Sequence, residues 1–318
     1  MKLLVTGGAG FIGSHVADRR LARGDRVVVL DDFNDFYDPR RKRANVAPHL
    51  SSRNSNYRLV EGDIRDRDLV FRLFAEERFD GVVHLAARAG VRPSLRQPVL
   101  YEEVNCVATL HLLEAAVSHG APRFLFASSS SVYGTNSKLP FSEEDPIARP
   151  ISPYATTKRA GELHVYATHH LHGLQAACLR FFTVYGPRQR PEMAIARFIR
   201  CLETDEPIPF FGDGGSRRDY TYIDDIVDGV EAALDADFSF EILNLGSSHP
   251  VTLTELVAEL EEVTGKRARL DRDGDQPGDV PVTFASVEKA ERLLGYRPRV
   301  PLREGLRRSV EWYRSQRA

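Results

Sequence analysis

A tyrosine and a lysine stand four residues apart, at Tyr154 and Lys158. On a helix this spacing places the phenol and the ammonium on one face. A nearby positive charge favours phenolate over phenol, which lowers the pKa of the tyrosine and lets it act as a general base near neutral pH. Because the spacing also arises by chance in many helices, its interpretation depends on the surrounding elements.

A run of serines follows a strand-like segment at residues 128–131. In a parallel sheet, ligands bind at the carboxyl ends of the strands. Hydroxyl groups at this place can therefore hydrogen-bond both a reacting oxygen and the tyrosine. The alternative is a serine-rich strand end that binds no ligand.

A glycine-rich loop, TGGAGFIG at residues 6–13, joins the first predicted strand to a helix. Gly7, Gly10 and Gly13 suit a tight turn, close approach of the backbone to a pyrophosphate, and helix–strand packing. The helix that follows, for which Ser14 is the predicted cap, offers free N–H groups and a positive dipole to phosphates. The loop therefore predicts a dinucleotide site lined by Gly7, Gly10, Phe11, Ile12 and Gly13.

An acid stands at the end of the second predicted strand, about twenty residues further on, at Asp31. A carboxylate there accepts hydrogen bonds from both ribose hydroxyls of adenosine and repels the 2′-phosphate of NADP. Asp31 thus favours NAD as the cofactor.

Five further residues fit the same dinucleotide. Asp63 and Ile64, after the third strand, suit the amino group and the face of an adenine ring, although a solvent-facing acid is the alternative for Asp63. Small residues end the fourth strand and let a cofactor lie against the backbone. They are Leu85, Ala86 and Ala87.

Composition excludes several classes of protein. The 318 residues carry 43 Lys+Arg and 45 Asp+Glu, a net charge of −2, which is not typical of nucleic-acid binding. Three widely separated cysteines, Cys106, Cys178 and Cys201, form neither a zinc motif nor a disulfide framework. With no signal peptide and no stretch of about 18 apolar residues, we expect a cytoplasmic protein without a membrane partner.

The order of elements predicts the fold. Strand-length apolar segments recur at residues 2–6, 26–30, 57–61, 81–86, 123–127 and 175–182, with helix-length patterns at 14–23, 68–78, 99–119 and 153–172. Nearly all-apolar strands indicate burial on both faces. This alternation predicts an α/β protein with a Rossmann-type doubly wound parallel sheet.

A second region begins near residue 186, where prolines and glycines cluster and the elements become shorter. Helices are predicted near residues 252–264 and 302–314. We expect a NAD-binding domain at residues 1–185 with a return segment near 220–246, and a smaller C-terminal α/β substrate domain at residues 186–318.

Taken together, these motifs resemble the extended short-chain dehydrogenase/reductase family, and within it the nucleotide-sugar 4-epimerases. The resemblance covers residues 1–315 in order through GGAGFIGSH, Asp31, HLAA, SSSSVYG, YATTK and RRDYTYIDD. It implies that Tyr154 is the base, that Lys158 tunes it and holds the nicotinamide ribose, and that Ser129 assists. Ser128 and Ser130 are their neighbours.

The same resemblance implies a cycle without net redox change. Tyr154 removes the proton of the sugar 4-hydroxyl while C4 is oxidised. The 4-keto sugar then rotates within the pocket, and C4 is reduced from its other face. The related 4,6-dehydratases carry an Asp-Glu pair where this chain has serines. Dehydration therefore lacks its proton carrier here.

Substrate-side residues resemble those that bind a UDP-sugar. Arg218 is similar to the arginine that binds the diphosphate, and Gln276 and Asp279 lie in a segment similar to one near the uridine. Many hexose epimerases have an arginine where Gln276 stands, which weakens an assignment to UDP-galactose.

Two stretches, residues 31–38 and 185–194, resemble UDP-glucuronate 4-epimerases; the first adds Asp32 and Asn34 to the expected cofactor contacts. Arg190 and Arg92 are the candidate cations for the substrate, unless they face solvent or pair with acids such as Glu192. The hydroxyls expected to hold the sugar carboxylate belong to Ser128, Ser130 and Thr183.

The leading interpretation is a UDP-glucuronate 4-epimerase that uses tightly bound NAD. The alternatives are a UDP-glucose/UDP-galactose 4-epimerase and a UDP-glucuronate decarboxylase, which shares the 4-keto intermediate. A non-catalytic NAD-binding regulator is disfavoured because both Tyr154 and Lys158 are present. The family also implies a homodimer formed through the helices at residues 99–119 and 153–172.

Overall fold

Seven parallel strands form the central sheet of the computed structural model, which describes residues 1–274 and 280–316. The strands of the described chain are β1 (Lys2–Thr6), β2 (Arg26–Asp31), β3 (Tyr57–Glu61), β4 (Gly81–His84), β5 (Arg123–Ser129), β6 (Gln175–Phe181), β7 (Thr183–Tyr185), β8 (Ile208–Phe211), β9 (Arg217–Tyr222), β10 (Phe240–Leu245), β11 (Pro250–Thr252) and β12 (Leu270–Asp273). The central sheet has the order β10-β6-β5-β4-β1-β2-β3. The chain thus winds outward in both directions from β1, which confirms the predicted doubly wound fold.

Helices cover both faces of this sheet. The helices of the described chain are α1 (Phe11–Ala22), α2 (Pro39–Ser51), α3 (Arg67–Glu77), α4 (Val91–Arg96), α5 (Pro98–Glu102), α6 (Ala108–Ser118), α7 (Pro153–His172), α8 (Ala194–Thr204), α9 (Ile223–Asp235), α10 (Leu253–Thr264), α11 (Glu288–Leu294) and α12 (Leu302–Ser315). Alternate strand residues enter opposite cores: Leu3 packs with α1 and α9, whereas Leu4 packs with α3 and α6. Burial on both faces explains why these strands are almost wholly apolar.

The predicted start of α1 is wrong. The helix begins at Phe11 with Gly10 as its N-cap, and no side chain caps it. Ser14 lies within the helix, where its hydroxyl donates to the carbonyl of Phe11 at 3.1 Å. The N–H groups of the first turn therefore remain available to a ligand.

The segment predicted as one helix at residues 99–119 is divided in three. A π-helical turn at Glu103–Val107 lies between α5 and α6. Such turns often occur at functional sites. This one directs Asn105 into the protein, where its amide donates to the carbonyl of Arg88 at 2.9 Å and to the hydroxyl of Thr157 at 3.0 Å.

From β7 onward the described chain forms two small sheets, β11-β9-β7 and β12-β8, with α8, α10 and α12 packed beside them. Strand β10 leaves this region and pairs in parallel with β6, so that Leu243 lies opposite Leu179. The central sheet is therefore completed by a segment from the second half of the chain.

Candidate active site

A cavity of about 370 Å³ opens at the carboxyl ends of β1, β2, β4 and β5. Its walls are the glycine-rich loop, the loops after those strands, and the segment from Phe181 to Met193. The predicted residues that line it are Gly7, Gly10, Phe11, Ile12, Gly13, Asp31, Asp32, Asn34, Asp63, Ile64, Leu85, Ala86, Ala87, Ser128, Ser129, Ser130, Tyr154, Lys158, Thr183 and Arg190. Parallel pairing of the strands brings together residues that are far apart in the sequence.

The glycine-rich loop leaves no space for side chains. Gly7 has a φ of +67°, and a Cβ there would lie 2.8 Å from the backbone nitrogen of Ala86. A Cβ at Gly13 would lie 2.3 Å from the carbonyl oxygen of Gly7. The loop therefore brings bare backbone and an uncapped helix N-terminus to the cavity, an arrangement suited to a pyrophosphate.

Asp31 is buried at the end of β2. Its carboxylate accepts hydrogen bonds from the backbone nitrogens of Ala9 at 3.1 Å and Phe33 at 3.0 Å. Lys42 Nζ lies 3.4 Å from Oδ1. Burial raises the pKa of Asp31, while Lys42 opposes that rise. The acid is thus held rigidly where a ribose can donate to it.

The other predicted dinucleotide contacts line the same half of the cavity. The amide of Asn34 donates to Oδ1 of Asp32 at 2.6 Å. Asp63 accepts from the guanidinium of Arg65 at 2.6 Å. Burial raises the pKa of Asp63, but the hydrogen bonds from Arg65 outweigh it and leave the pKa lowered.

Tyr154 occupies the first turn of α7. Ser152 caps this helix by accepting from the backbone nitrogen of Ala155 at 3.1 Å, and Pro153 takes the first helical position. The Tyr154 ring lies edge-on to that of Tyr101, with 6.3 Å between ring centroids. Packing and capping thus fix the direction of the phenol into the cavity.

The expected lowering of the pKa of Tyr154 depends on Lys158 together with a positive nicotinamide and stays a prediction; Lys158 is not among the groups that act on this pKa in the structure. Burial raises the pKa of Tyr154, and the groups that oppose the rise are Ser129, through a hydrogen bond, and Arg190, through its charge. Lys158 is buried, and its ammonium donates to the carbonyl of Ala127 at 2.7 Å. Burial lowers the pKa of Lys158 to about 8.

The three candidate serines differ in their surroundings. Ser129 lowers the pKa of Tyr154, and its hydroxyl donates to Oγ of Ser131 at 3.1 Å and accepts from the backbone nitrogen of Ser131 at 3.1 Å, which caps the following 3₁₀ turn. Ser128 donates to Oε1 of buried Glu162 at 2.6 Å, so its proton is not available to a sugar carboxylate. Ser130 lines the cavity beside them.

Arg190 and Thr183 line the opposite wall. The Nε atom of Arg190 lies 3.3 Å from Oε1 of Glu192, and its guanidinium carbon lies 5.5 Å from the centre of the Phe36 ring. The predicted alternative of pairing with Glu192 is therefore observed, although Arg190 still faces the cavity.

Two predicted substrate residues do not line this cavity. The guanidinium of Arg92 lies over the Phe211 ring at 4.9 Å, and that of Arg218 donates to the backbone carbonyl of Arg217 at 2.9 Å. Their role would require a ligand that extends beyond the cavity. Gln276 and Asp279 lie outside the described residues.

Sequence reasoning missed several residues of the cavity wall: Phe36, Tyr37, Lys42, Arg88 and Met193. Lys42 belongs to α2, a helix rich in basic residues that apolar periodicity does not reveal. Its start has a recognisable signal, because Asp38 caps the helix and Pro39 takes the first position. The cavity as a whole fits NAD, since it combines the bare glycine backbone, the rigid acid Asp31 and the half-buried phenol of Tyr154.

Comparison with known proteins identifies the family. Residues 3–246 match the model of the NAD dependent epimerase/dehydratase family. The chain belongs to this family. NAD is accordingly its cofactor.

Relatives of this epimerase/dehydratase family member match it along almost its whole length. The UDP-glucuronate 4-epimerase of Thermodesulfobacterium geofontis is 41% identical over 310 residues, which are 97% of this chain and 95% of that protein. The Bacillus cereus UDP-glucuronic acid 4-epimerase in complex with UDP-glucuronic acid and NAD has a TM-score of 0.93 and 36% identity, covering 99% and 100% of the two chains. The Thermotoga maritima UDP-glucose 4-epimerase with UDP-glucose has a TM-score of 0.93 and 35% identity over 100% of both.

Two features are absent from the part of this family member that the structure describes. Within residues 1–274 and 280–316, no helix has the length and apolar character needed to cross a membrane. The same residues contain no group of three or more acids, histidines or cysteines arranged to hold a metal ion.

Proposed function

We propose that this protein interconverts UDP-glucuronate and UDP-galacturonate through a 4-keto intermediate. The observation that carries the proposal is the convergence of Tyr154, Ser129 and Arg190 on one cavity with the dinucleotide loop. Relatives named UDP-glucuronate 4-epimerase, aligned along nearly the full chain, support the choice of sugar.

The residues of the chain supply the proton chemistry. Tyr154 takes the proton of the 4-hydroxyl as C4 becomes a ketone and returns it when C4 is reduced from the other face. Ser129 and the charge of Arg190 both favour the phenolate and so offset part of the cost of burying it. NAD, when bound, supplies the two-electron acceptor and donor for C4.

Lys158 has a positioning role in this proposal. Its ammonium, bound to the carbonyl of Ala127, remains largely protonated at neutral pH because its pKa is about 8. This fixed positive charge beside the end of β5 can bind the hydroxyls of a ribose. The proposed site therefore keeps Lys158 and Ser129 with Tyr154.

UDP-glucose is the second candidate substrate. The Thermotoga maritima UDP-glucose 4-epimerase matches this fold as closely as the glucuronate enzyme of Bacillus cereus does. The test is product analysis by NMR, with UDP-glucuronate and UDP-glucose in parallel reactions and the Tyr154→Phe variant as the control. UDP-galacturonate as the dominant product supports the proposal, whereas turnover of UDP-glucose alone overturns it in favour of the second candidate.

We propose that the two regions of the chain have the binding roles that the sequence predicts. Residues 1–185, together with the return segment near 220–246, would bind NAD, and residues 186–318 would bind the nucleotide sugar. The three cysteines are buried free thiols, which suits a reducing, cytoplasmic compartment.

We also propose a homodimer formed by the exposed apolar faces of α5, α6 and α7. Val99 is 69% exposed, Leu110 37% and Leu163 51%. Covering such residues in a four-helix contact would remove them from water. Sedimentation of the wild type and of Leu163→Glu tests this, since a wild-type monomer contradicts the proposal.

A further inference from the structure

Among the basic side chains that line the cavity in the described part of the chain, one forms neither an ion pair nor a side-chain hydrogen bond. Four line the wall: Lys42, Arg88, Lys158 and Arg190. Three of them already lie against protein oxygens, which belong to Asp31, Ala127 and Glu192. Within the described chain, the guanidinium of Arg88 has no carboxylate oxygen within 4.0 Å and donates no hydrogen bond. Its charge and its five N–H donors are available to an anion.

The structure holds Arg88 firmly in this place. Its backbone nitrogen donates to Oδ1 of Asn105 at 2.8 Å, and its carbonyl accepts from the amide of the same residue at 2.9 Å. Asn105 also bonds Thr157 on α7, next to Lys158. The guanidinium carbon lies 5.9 Å from the centre of the Phe36 ring, which comes from the loop after β2. The side chain thus extends across the cavity from β4 toward β2.

The glycine-rich loop supplies too little positive charge to balance a pyrophosphate. Its glycines and the first turn of α1, Phe11 to Ser14, carry no basic side chain. A pyrophosphate has two negative charges, whereas a helix N-terminus offers only about half a positive charge. A full positive charge from another element is therefore expected in this half of the cavity.

We propose that Arg88 binds the pyrophosphate of NAD while its guanidinium lies against the Phe36 ring. A planar guanidinium can donate two parallel hydrogen bonds to phosphate oxygens. The charge of Arg88 acts on Asp63, whose pKa it lowers, and this directs Arg88 to the half of the cavity that contains Asp31 and Asp63. This inference rests on the cofactor and not on the identity of the sugar.

The experiment measures binding by calorimetry after bound nucleotide has been removed from the purified full-length protein. The variants are Arg88→Met and Arg88→Lys, with Arg72→Met, an exposed arginine of α3 outside the cavity, as the matched control. The probes are NAD, adenosine, which lacks phosphates, and UDP. No sugar substrate is needed, so the result is independent of the epimerase assay.

Arg88→Met is expected to weaken NAD binding about tenfold or more, the effect of losing a charge-assisted hydrogen bond. The affinity of Arg88→Lys for NAD should lie between those of Arg88→Met and the wild type. Adenosine should bind all variants equally. Unchanged NAD binding overturns the proposal, as does an equal loss for adenosine, which would indicate a distorted cavity. A loss confined to UDP would assign Arg88 to the substrate diphosphate and also overturn it.

A second variant tests the contact with the aromatic ring. Phe36→Leu keeps an apolar side chain but removes the ring face on which the guanidinium lies. Cation–π contacts at partly exposed sites correspond to about a two- to fivefold change in affinity. We expect a loss of that size for NAD in an otherwise wild-type chain and none in the Arg88→Met background. Equal losses in both backgrounds would mean that Phe36 does not act through Arg88.

Discussion

The hydroxyl of Ser128 donates a hydrogen bond of 2.6 Å to Glu162, a carboxylate buried on α7 one turn beyond Lys158. Glu162 also receives two hydrogen bonds from the guanidinium of Arg180 on β6, at 2.8 and 3.0 Å. The helix that carries the candidate base is thereby joined to the two strands whose ends form the active site. A buried ion pair of this kind determines where α7 lies on the sheet.

Removing Glu162 should therefore destabilise the fold more than removing Ser128. Glu162→Ala leaves Arg180 buried without its carboxylate, which typically costs about 3–5 kcal/mol, whereas Ser128→Ala loses one hydrogen bond worth about 1 kcal/mol. Urea unfolding measures both free energies. The double variant Glu162→Ala/Arg180→Met should lose less than the sum of the two single changes. Strict additivity would show that the pair does not couple α7 to β6.

Tyr154→Phe should keep NAD bound but lose epimerisation by at least about 10²-fold, the lower end of general acid–base catalysis. The phenol lies in the cavity with Ser129 and Arg190, and the ring alone preserves its packing against Tyr101. Turnover is measured by NMR and bound NAD by its release on denaturation. Near wild-type turnover in this variant would remove Tyr154 from the mechanism.

Asp31→Ala should weaken NAD binding and reduce the preference for NAD over NADP. Because Lys42 lies 3.4 Å from this carboxylate and 3.8 Å from that of Asp32, the variant leaves its ammonium with only the more distant acid, near the expected 2′-phosphate. Adding Lys42→Met should then reduce NADP binding again. Calorimetry with both cofactors checks this, and equal affinity of the wild type for NAD and NADP would contradict the assignment of Asp31.

Arg190→Ala or Thr183→Val should impair turnover of UDP-glucuronate more than that of UDP-glucose. The 4-keto form of UDP-glucuronate is a β-keto acid, which loses CO2 when its carboxylate turns out of the ketone plane. Losing one charge-assisted hydrogen bond costs about 1.5–3 kcal/mol, enough to shift the balance between epimerisation and decarboxylation about tenfold.

UDP-pentose should therefore appear in at least one of these two variants, detected by mass spectrometry. Ser128→Ala is the matched comparison, because the hydroxyl of Ser128 is already bound to Glu162. Equal losses on both sugars, with no pentose, would place the carboxylate elsewhere.

His84 should make the protein less stable in mild acid. The ring is buried between the hydroxyls of Thr6 at 2.7 Å and Thr109 at 2.9 Å. Burial, and to a lesser extent the charge of Lys158, lower its pKa from 6.5 to about 3. The unfolded chain therefore binds more protons between these values, and the stability conferred by neutral His84 is lost as the pH falls below 6.5.

The protonation of His84 in the unfolded chain lowers the free energy of unfolding by about 2 kcal/mol at pH 5. Urea unfolding at pH 7 and pH 5 measures it. His84→Gln should flatten the pH dependence, whereas His172→Gln, at the exposed end of α7, should not. The same slope in the wild type and His84→Gln would assign the effect to other groups.

The sequence by itself determined the central sheet and the dinucleotide loop. Segments such as Val27 to Leu30 are apolar on both faces, and Gly7 and Gly13 occur where backbone must approach backbone, so local pattern and spacing suffice. Asp31, Tyr154 and Ser129 were likewise recognisable, because each occupies a defined place in a strand–loop–helix unit.

Only the tertiary structure decided which charges act on those residues. The pairing of Lys42 with Asp31, the contact of Arg88 with Phe36, and the bond between Ser128 and Glu162 join separate elements. No periodic pattern in the sequence predicts these pairs, because each distance depends on how the helices and loops pack on the sheet. Burial likewise raises the pKa of Tyr154, although its spacing from Lys158 predicts the opposite, since the surrounding protein removes water from the phenol.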